Sequence, residues 1–366
     1  VLSVLAVVAA IVITWNDFGV ATPLTQPEVF LAPWQAGARY ASVWSDSPNL
    51  GTASFNVGLA PIAWLFGVLE SIGWPAWLAM RVWSTGFLVI GAWGIRRLYV
   101  DLTHGTSADT AAARVAVAVL WVANPYTVVG GGTLPTNLPY HLLPWFVLFL
   151  LRGARSPGWR WAAASALVLA AMSGINAGVV PALQLVIILP VALHVLIIER
   201  LGWRSLAAQL VRTGALYLAM SLYWLVPSLL ALRVGSAIAS TTESLEAINS
   251  ANSFTEVLRG LGLWTLYGRG PEGPFQPGYQ SYLTAPVIVV ASFGPVVLAA
   301  LGARLSRAPA RLLAMTALAT GALVMVGSHP FANRTTWGSL QLWLLENVPG
   351  LIALRTTNKA GAVLML

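Results

Sequence analysis

Apolar residues fall along this chain in blocks of 14 to 26 positions, separated by polar stretches in which Arg, Gly and Pro collect. The blocks occupy residues 1–14, 75–95, 110–127, 138–151, 160–173, 177–198, 206–231, 283–303 and 308–326. A helix of roughly 20 residues crosses the ~30 Å hydrocarbon core of a bilayer. A barrel would instead alternate apolar and polar positions in segments of about 10. The pattern therefore predicts an all-α polytopic membrane protein.

Arginine sets the direction of the spans. If the first block leaves the cytoplasm, the loops around Arg96 and Arg97, Arg152, Arg155 and Arg160, Arg200 and Arg204, and Arg304, Arg307 and Arg311 all fall inside, as the positive-inside rule requires. With Arg114 and Arg212, that side holds 12 of the 20 basic residues and 3 of the 12 acidic ones. The assignment keeps residues 56–72, "NVGLAPIAWLFGVLESI", at the outer interface or re-entrant, because a span there would invert every later arginine loop. Three long segments then face outward, residues 15–74, 232–282 and 327–366, and recognition or chemistry is expected there.

Composition agrees. Hydrophobic residues make up 57% and mean hydropathy is +0.75, against an apolar share of roughly 45–50% in soluble domains. Many of the 17 Trp lie near the ends of apolar blocks, where an amphipathic ring anchors at the interface. The net charge of +8 is spread over short loops rather than gathered into one patch, which argues against nucleic acid. With no cysteine there is no disulfide, thiolate catalysis or cysteine metal site. The chain starts inside an apolar block and stops at "GAVLML", so residues 1–366 read as one transmembrane module cut from a longer protein at both ends.

Within the outer segments, Ser253 and Glu256 have capping-box spacing, and Phe254, Val257, Leu258 and Leu261 repeat at helical spacing. A short amphipathic helix on the membrane surface is expected. Gly268, Gly270 and Gly273 spell a dinucleotide fingerprint, but no strand precedes them, and Pro271 and Pro274 suit a loop. The stretch "NPYTVVGGGTLPTNLPYH", residues 124–141, is polar and glycine-rich between two apolar blocks. Irregular backbone at that depth survives where it lines a cavity or is covered by protein.

Ionisable groups at the outer ends of spans are the candidates for chemistry. Asp17 follows the first block directly and suits a general base for a hydroxyl acceptor, against the plainer reading of a solvated interfacial aspartate. Asp46, in "WSDSPNLG", is the second acid, with a simple Asx turn as its competing explanation. Glu28 follows Pro27 and equally suits the first turn of a surface helix. Arg81 enters the second block by one turn, where it either snorkels or turns inward toward a phosphate. Arg259, Arg355 and Lys359 suit a lipid phosphate, a contact that surface arginines also make nonspecifically. His104, His141, His194 and His329 show no paired ligand spacing for zinc, and His141 is the one expected near an outer cavity.

The segments "SFNVGLAPIAWLFGVLESIGWPAWLAMRVW", "SGINAGVVPAL", "YWLVPSLL", "SANSFTEVLRGLGLW" and "LRTTNKAGAVLML" occur in that order. In them the chain resembles the membrane portion of the actinobacterial α-(1→3)-arabinofuranosyltransferase family, polytopic glycosyltransferases of GT-C type. "EVLRGLGLW" and "LRTTNK" are the most specific of them. The resemblance implies a GT-C-like helical bundle whose long first outer loop carries interfacial helices. It also implies inverting transfer of arabinofuranose from decaprenyl-phosphate arabinose to a cell-wall arabinan, outside the plasma membrane. Asp17 would then be the base and Asp46 its reserve. Arg81, Arg259 or Lys359 would balance the leaving phosphate, and Glu28, Asn56, His141, Glu256 and Arg355 would complete the substrate site. The requirement for a divalent cation stays open. Two other readings remain, a transporter or flippase of polyprenyl-linked glycan and a non-catalytic lipid-sugar-binding assembly subunit. Transporters concentrate polar residues and broken helices near the midplane, often in paired halves, whereas here the block centres are nearly free of charge.

Overall fold

The computed structural model describes residues 19, 26–45, 51–54, 56–130, 134–232, 243–305 and 308–366. The first expected span, residues 1–14, lies outside them. The others are helical: α2 (Ala76–Thr103), α3 (Ala111–Val129), α4 (Leu134–Arg155), α5 (Trp159–Met172), α6 (Val179–Ile198), α7 (Trp203–Leu230), α8 (Pro286–Leu305) and α9 (Ala310–Val326). They are preceded by α1 (Ala60–Ser71) and followed by α10 (Thr336–Asn347). Of these, α2, α3, α6, α7 and α8 are long and apolar enough to cross a membrane, and α5 and α9 are shorter apolar helices. The fold class is the all-α polytopic one expected.

Local chemistry places the ends. The Thr110 side chain accepts from the Ala113 amide at 3.1 Å and opens α3. Asn124 leaves helical geometry before Pro125, then caps the last turns by accepting from the Thr127 amide at 2.9 Å. Arg152 and Arg155 close α4, where cations meet the negative end of the helix dipole.

Close approaches fix the directions. A Cβ on Gly91 would lie 2.3 Å from His141 Nδ1, and one on Gly94 would lie 2.5 Å from Trp145 Nε1. One turn's advance on α2 thus matches one turn's advance on α4, so the two run parallel and α3 returns between them. At their shared end Arg152 Nε donates to Asp101 at 2.9 Å. Arg155 bridges Asp101 and Glu199, reaching Glu199 at 2.6 Å, and His194 joins Glu199 at 3.1 Å. Asp109 pairs with Arg114 at 2.6 Å. All three acidic residues expected on the arginine side are therefore paired with arginines at that end. In the core, α4 buries Leu143, Phe146, Val147, Leu150 and Leu151 against α2, α5 and α7.

At the opposite end the 26–41 segment folds over α1, through a chain of rings from Phe30 to Phe66 to Trp83 to Phe87 at 4.4, 5.2 and 4.7 Å. Val57–Ser71 gives about 22 Å of helix, short of a ~30 Å crossing. Two hairpins, Trp44–Ser45 with Thr52–Ala53 and Arg269–Gly270 with Gly273–Pro274, are the only sheet among the described residues. The second contains the rejected glycine fingerprint, and Phe275 packs under Gly268.

The capping box at Ser253 forms only half. Ser253 Oγ accepts from the Glu256 amide at 3.3 Å. The Glu256 carboxylate turns to Arg259 and Tyr267 instead of back to Ser253. The helix is five residues, Phe254–Leu258, with Phe254 and Thr255 exposed on one face and Val257 turned into the protein on the other. Val257 is fully buried and Arg259 is 4% exposed, because the segment packs on α9.

Candidate functional site

The segments that suggested a family meet in space in two groups. In the first, Gly58 of "SFNVGLAP" approaches Gly174 of "SGINAGVVPAL" so closely that a Cβ on Gly58 would lie 2.0 Å from the Gly174 carbonyl oxygen. Gly178 lies under the ring of Trp224 in "YWLVPSLL", and a Cβ there would be 2.7 Å from the ring. Asn56 opens the Val57–Leu59 turn beside this contact.

The second group joins "SANSFTEVLRGLGLW" to "LRTTNK" around the end of α9. Asn252 Nδ2 donates to Thr357 Oγ1 at 3.2 Å, and Thr357 Oγ1 donates to the Met325 carbonyl at 3.0 Å. Asn249 Oδ1 accepts from the Ser328 amide at 2.9 Å, and His329 Nδ1 lies 3.0 Å from the Asn249 carbonyl. Gly327, at φ +62°, makes this turn with no room to spare: a Cβ would sit 2.6 Å from Asn249 Oδ1 and 3.0 Å from Thr357 Oγ1. Val179–Gln184 of α6 packs on the Thr357–Ala360 turn and on α4, and the "SGIN" turn leads directly into it. The two groups thus flank the start of α6.

Arg355 and Lys359 lie on either side of Thr357. Arg355 donates to the Glu243 carboxylate at 2.8 Å. Burial first, and then the neighbouring Arg355, push the Lys359 amine down to about 8, with Glu243 opposing. At pH 7 the amine is mostly charged while poorly solvated, the state in which it is attracted most strongly to an incoming anion. Of the 20 basic residues of the chain, Lys359 is the only lysine. That signal was open in the sequence: in a chain built on arginine, one position carries a compact, tunable ammonium.

The remaining candidates separate. Arg81 is 5% exposed and lies over the Trp77 ring at 5.0 Å, so it does not snorkel. His141 is completely buried in the notch left by Gly91, edge-on to Tyr140, and neither ring nitrogen has a hydrogen-bond partner among the described residues. Arg259 is spent inside the protein. Its nitrogens donate to Ser292 Oγ at 2.7 Å, Glu256 Oε1 at 2.5 Å and the Tyr282 carbonyl at 2.5 Å. Tyr267 also donates to Glu256, and burial followed by that carboxylate pushes its hydroxyl above the usual tyrosine range. Glu28 accepts from Tyr40 in the first turn of Glu28–Leu31, the helix-start placement considered from the sequence. Asp17 and Asp46 lie outside the described residues. Sequence reasoning missed Asn249, Asn252, Ser328 and Thr357, which are neutral and whose bonded pairs lie up to 105 positions apart.

Among the described residues no three His, Asp or Glu side chains gather as a metal site would need. An apolar groove of about 550 Å³ lies between α2, α8 and α9 near the arginine end, with Tyr99, Thr103 and Arg311 at its edge. It is at the opposite end from the cation pair.

Comparison with known proteins gives a consistent answer. Residues 7–366 match the family described as alpha-(1->3)-arabinofuranosyltransferase, N-terminal GT-C domain, and the chain belongs to that family. The alpha-(1->3)-arabinofuranosyltransferase of Mycolicibacterium smegmatis is 27% identical over 324 residues, which is 87% of this chain and 22% of that protein. The cryo-electron-microscopy structure of arabinofuranosyltransferase AftD from mycobacteria aligns over 100% of this chain and 24% of its own, with a TM-score of 0.65 at 24% identity. A mutant form of it aligns over 100% and 25%, with a TM-score of 0.59 at 24% identity. These structural matches establish the fold. The chain spans about a quarter or less of the length of these relatives.

Proposed function

We propose that this module transfers arabinofuranose from decaprenyl-phosphate arabinose to a cell-wall arabinan, on the outer face of the plasma membrane. The family match over residues 7–366 carries the reading. The segregation of charge supports it: the arginine end is closed by its own carboxylates, while Arg355 and Lys359 stand at the other end with one carboxylate, Glu243, between them.

In this reading Asp17, with Asp46 in reserve, takes the proton of an acceptor hydroxyl as its oxygen attacks the anomeric carbon from the face opposite the lipid phosphate. The bond from that carbon to the phosphate oxygen breaks, configuration inverts, and the phosphate departs with an added negative charge. Arg355 and Lys359 face that charge where few waters compete, so their stabilisation grows as the bond lengthens. Glu28 and Asn56 border the acceptor side, His141 packs α4 on α2, and the Glu256–Arg259 pair keeps the "EVLRGLGLW" segment in place rather than touching substrate.

The test is to reconstitute the full-length protein in liposomes and follow polyprenyl phosphate released from radiolabelled decaprenyl-phosphate arabinose, with and without an arabinan oligosaccharide. Acceptor-dependent release, abolished in Asp17→Asn while the donor still binds, is expected. Unchanged release in that variant would move the base to Asp46. No release from the parent, with the lipid still bound, would overturn the enzyme reading in favour of carriage or assembly. Repeating the assay with a chelator decides the divalent cation.

A further inference from the structure

We infer that Thr357 and Asn252 are positioning residues for the Arg355 and Lys359 cation pair, an inference that rests on the transfer reading above. Thr357 stands two residues from each cation and is 1% exposed. Its hydroxyl is used in both directions, donating to the Met325 carbonyl and accepting from Asn252. Asn252 is completely buried, and Gly262 leaves it room: a Cβ on Gly262 would meet Asn252 Oδ1 at 3.2 Å.

Arg and Lys side chains carry much rotamer freedom, and a charge lowers a barrier only if it is already placed when the leaving group develops its own. Fixing their backbone from both sides of one residue shortens that search. Hydroxyl and amide groups do this without cancelling positive charge, which further carboxylates would do. Glu243 accepts from Arg355. Among the described residues, the elements packed on Thr357–Ala360 add no competing charge close by. Val179–Gln184 and Gly361–Met365 contain no titratable residue, and α9 carries only Arg311, at its far end. Tyr126 approaches only the Lys359 carbonyl, at 3.4 Å. Arg355 and Glu243 are therefore the charged groups that act on the amine.

The experiment uses the full-length protein in liposomes, as parent, Thr357→Val, Thr357→Ser and Asn252→Ser. One readout is the pH dependence of Lys359 acetylation by acetic anhydride, followed by peptide mass spectrometry. The other is kcat and donor KM for transfer. The parent amine should titrate near 8. Thr357→Val should move that midpoint toward the ordinary lysine value and lower kcat about 10-fold, with KM within about 3-fold. Thr357→Ser, which keeps the hydroxyl, should restore both. Asn252→Ser, too short to reach Thr357, should resemble the valine variant and answers the question if that variant fails to fold. An unmoved midpoint and kcat in both Thr357→Val and Asn252→Ser, with transfer intact, would overturn the inference alone. A shifted midpoint in a protein whose parent transfers nothing would sink the transfer reading and leave the positioning in place.

Discussion

Replacing Gly321 by Ala adds one methyl group where α9 meets the backbone of the last helical turn, Gly361–Met365. That Cβ would lie 2.5 Å from the Leu364 nitrogen, 2.7 Å from its Cα and 3.0 Å from its Cβ. Ordinary contact begins near 3.4 Å, so the turn must retreat by roughly 1 Å, and backbone cannot swing aside as a side chain can. Such overpacking costs about 1–3 kcal/mol. Alanine is also a better helix former than glycine by about 1 kcal/mol. Gly214→Ala in α7 isolates this second effect, since a Cβ there meets nothing within 4 Å. The difference between the two variants is then the packing cost alone, about a 5- to 150-fold shift in the folded-to-unfolded ratio. Thermal unfolding in detergent, followed by tryptophan fluorescence, measures it. Because the retreating turn follows directly on Thr357–Ala360, Lys359 should also acetylate faster at pH 7 in Gly321→Ala. Equal melting of Gly321→Ala and Gly214→Ala, with equal Lys359 reactivity, would refute the seating of this turn on α9.

Four further outcomes follow from the same geometry. With its amine held at about 8, Lys359 is roughly nine-tenths charged at pH 7 and one-tenth at pH 9; transfer should fall as pH rises through that value, and Lys359→Arg should flatten the limb. The sign for stability is opposite: between about 8 and the ordinary lysine value the unfolded chain holds more protons, so the folded state gains stability as pH rises, a gain that Lys359→Met should lack in unfolding measured from pH 7 to 10. Arg155→Ala leaves Asp101 with Arg152 and Glu199 with His194 and should cost about 1 kcal/mol, read as a lowered melting temperature, with Arg155→Lys recovering only part because it cannot fork between two carboxylates. Gly58→Ala, with its Cβ 2.0 Å from the Gly174 carbonyl, should destabilise the protein more than Gly321→Ala does, because backbone faces backbone on both sides.

The spans were open to reading because lipid imposes a length and a polarity on every helix that crosses it. Seven of the eight blocks inside the described residues lie within four residues of a helix at both ends, and the eighth, 75–95, runs eight residues further as α2. The arginine loops were legible for the same reason, and the pairing of Asp101, Asp109 and Glu199 at that end accords with them. The outer segments were harder, since water tolerates many arrangements and their contacts join distant positions. Nothing near Asn252 announces Thr357, 105 residues on. Arg259 has the sequence context of an exposed headgroup contact and is instead consumed by Glu256, one turn earlier, and by Ser292 and Tyr282, two partners that only the tertiary fold assembles. His141 was expected beside an outer cavity and is instead completely buried, because a glycine 50 positions earlier on a different helix leaves it a notch.

The central claim is that a lipid-phosphate pentose donor is consumed at the end of the bundle that carries Lys359. The most direct measurement is acceptor-dependent release of polyprenyl phosphate by full-length protein in liposomes, compared between parent, Lys359→Ala and Lys359→Arg. Release by the parent, a fall of about 100-fold in kcat for the alanine form, and partial recovery with arginine are expected. Parent-level release by Lys359→Ala would contradict it.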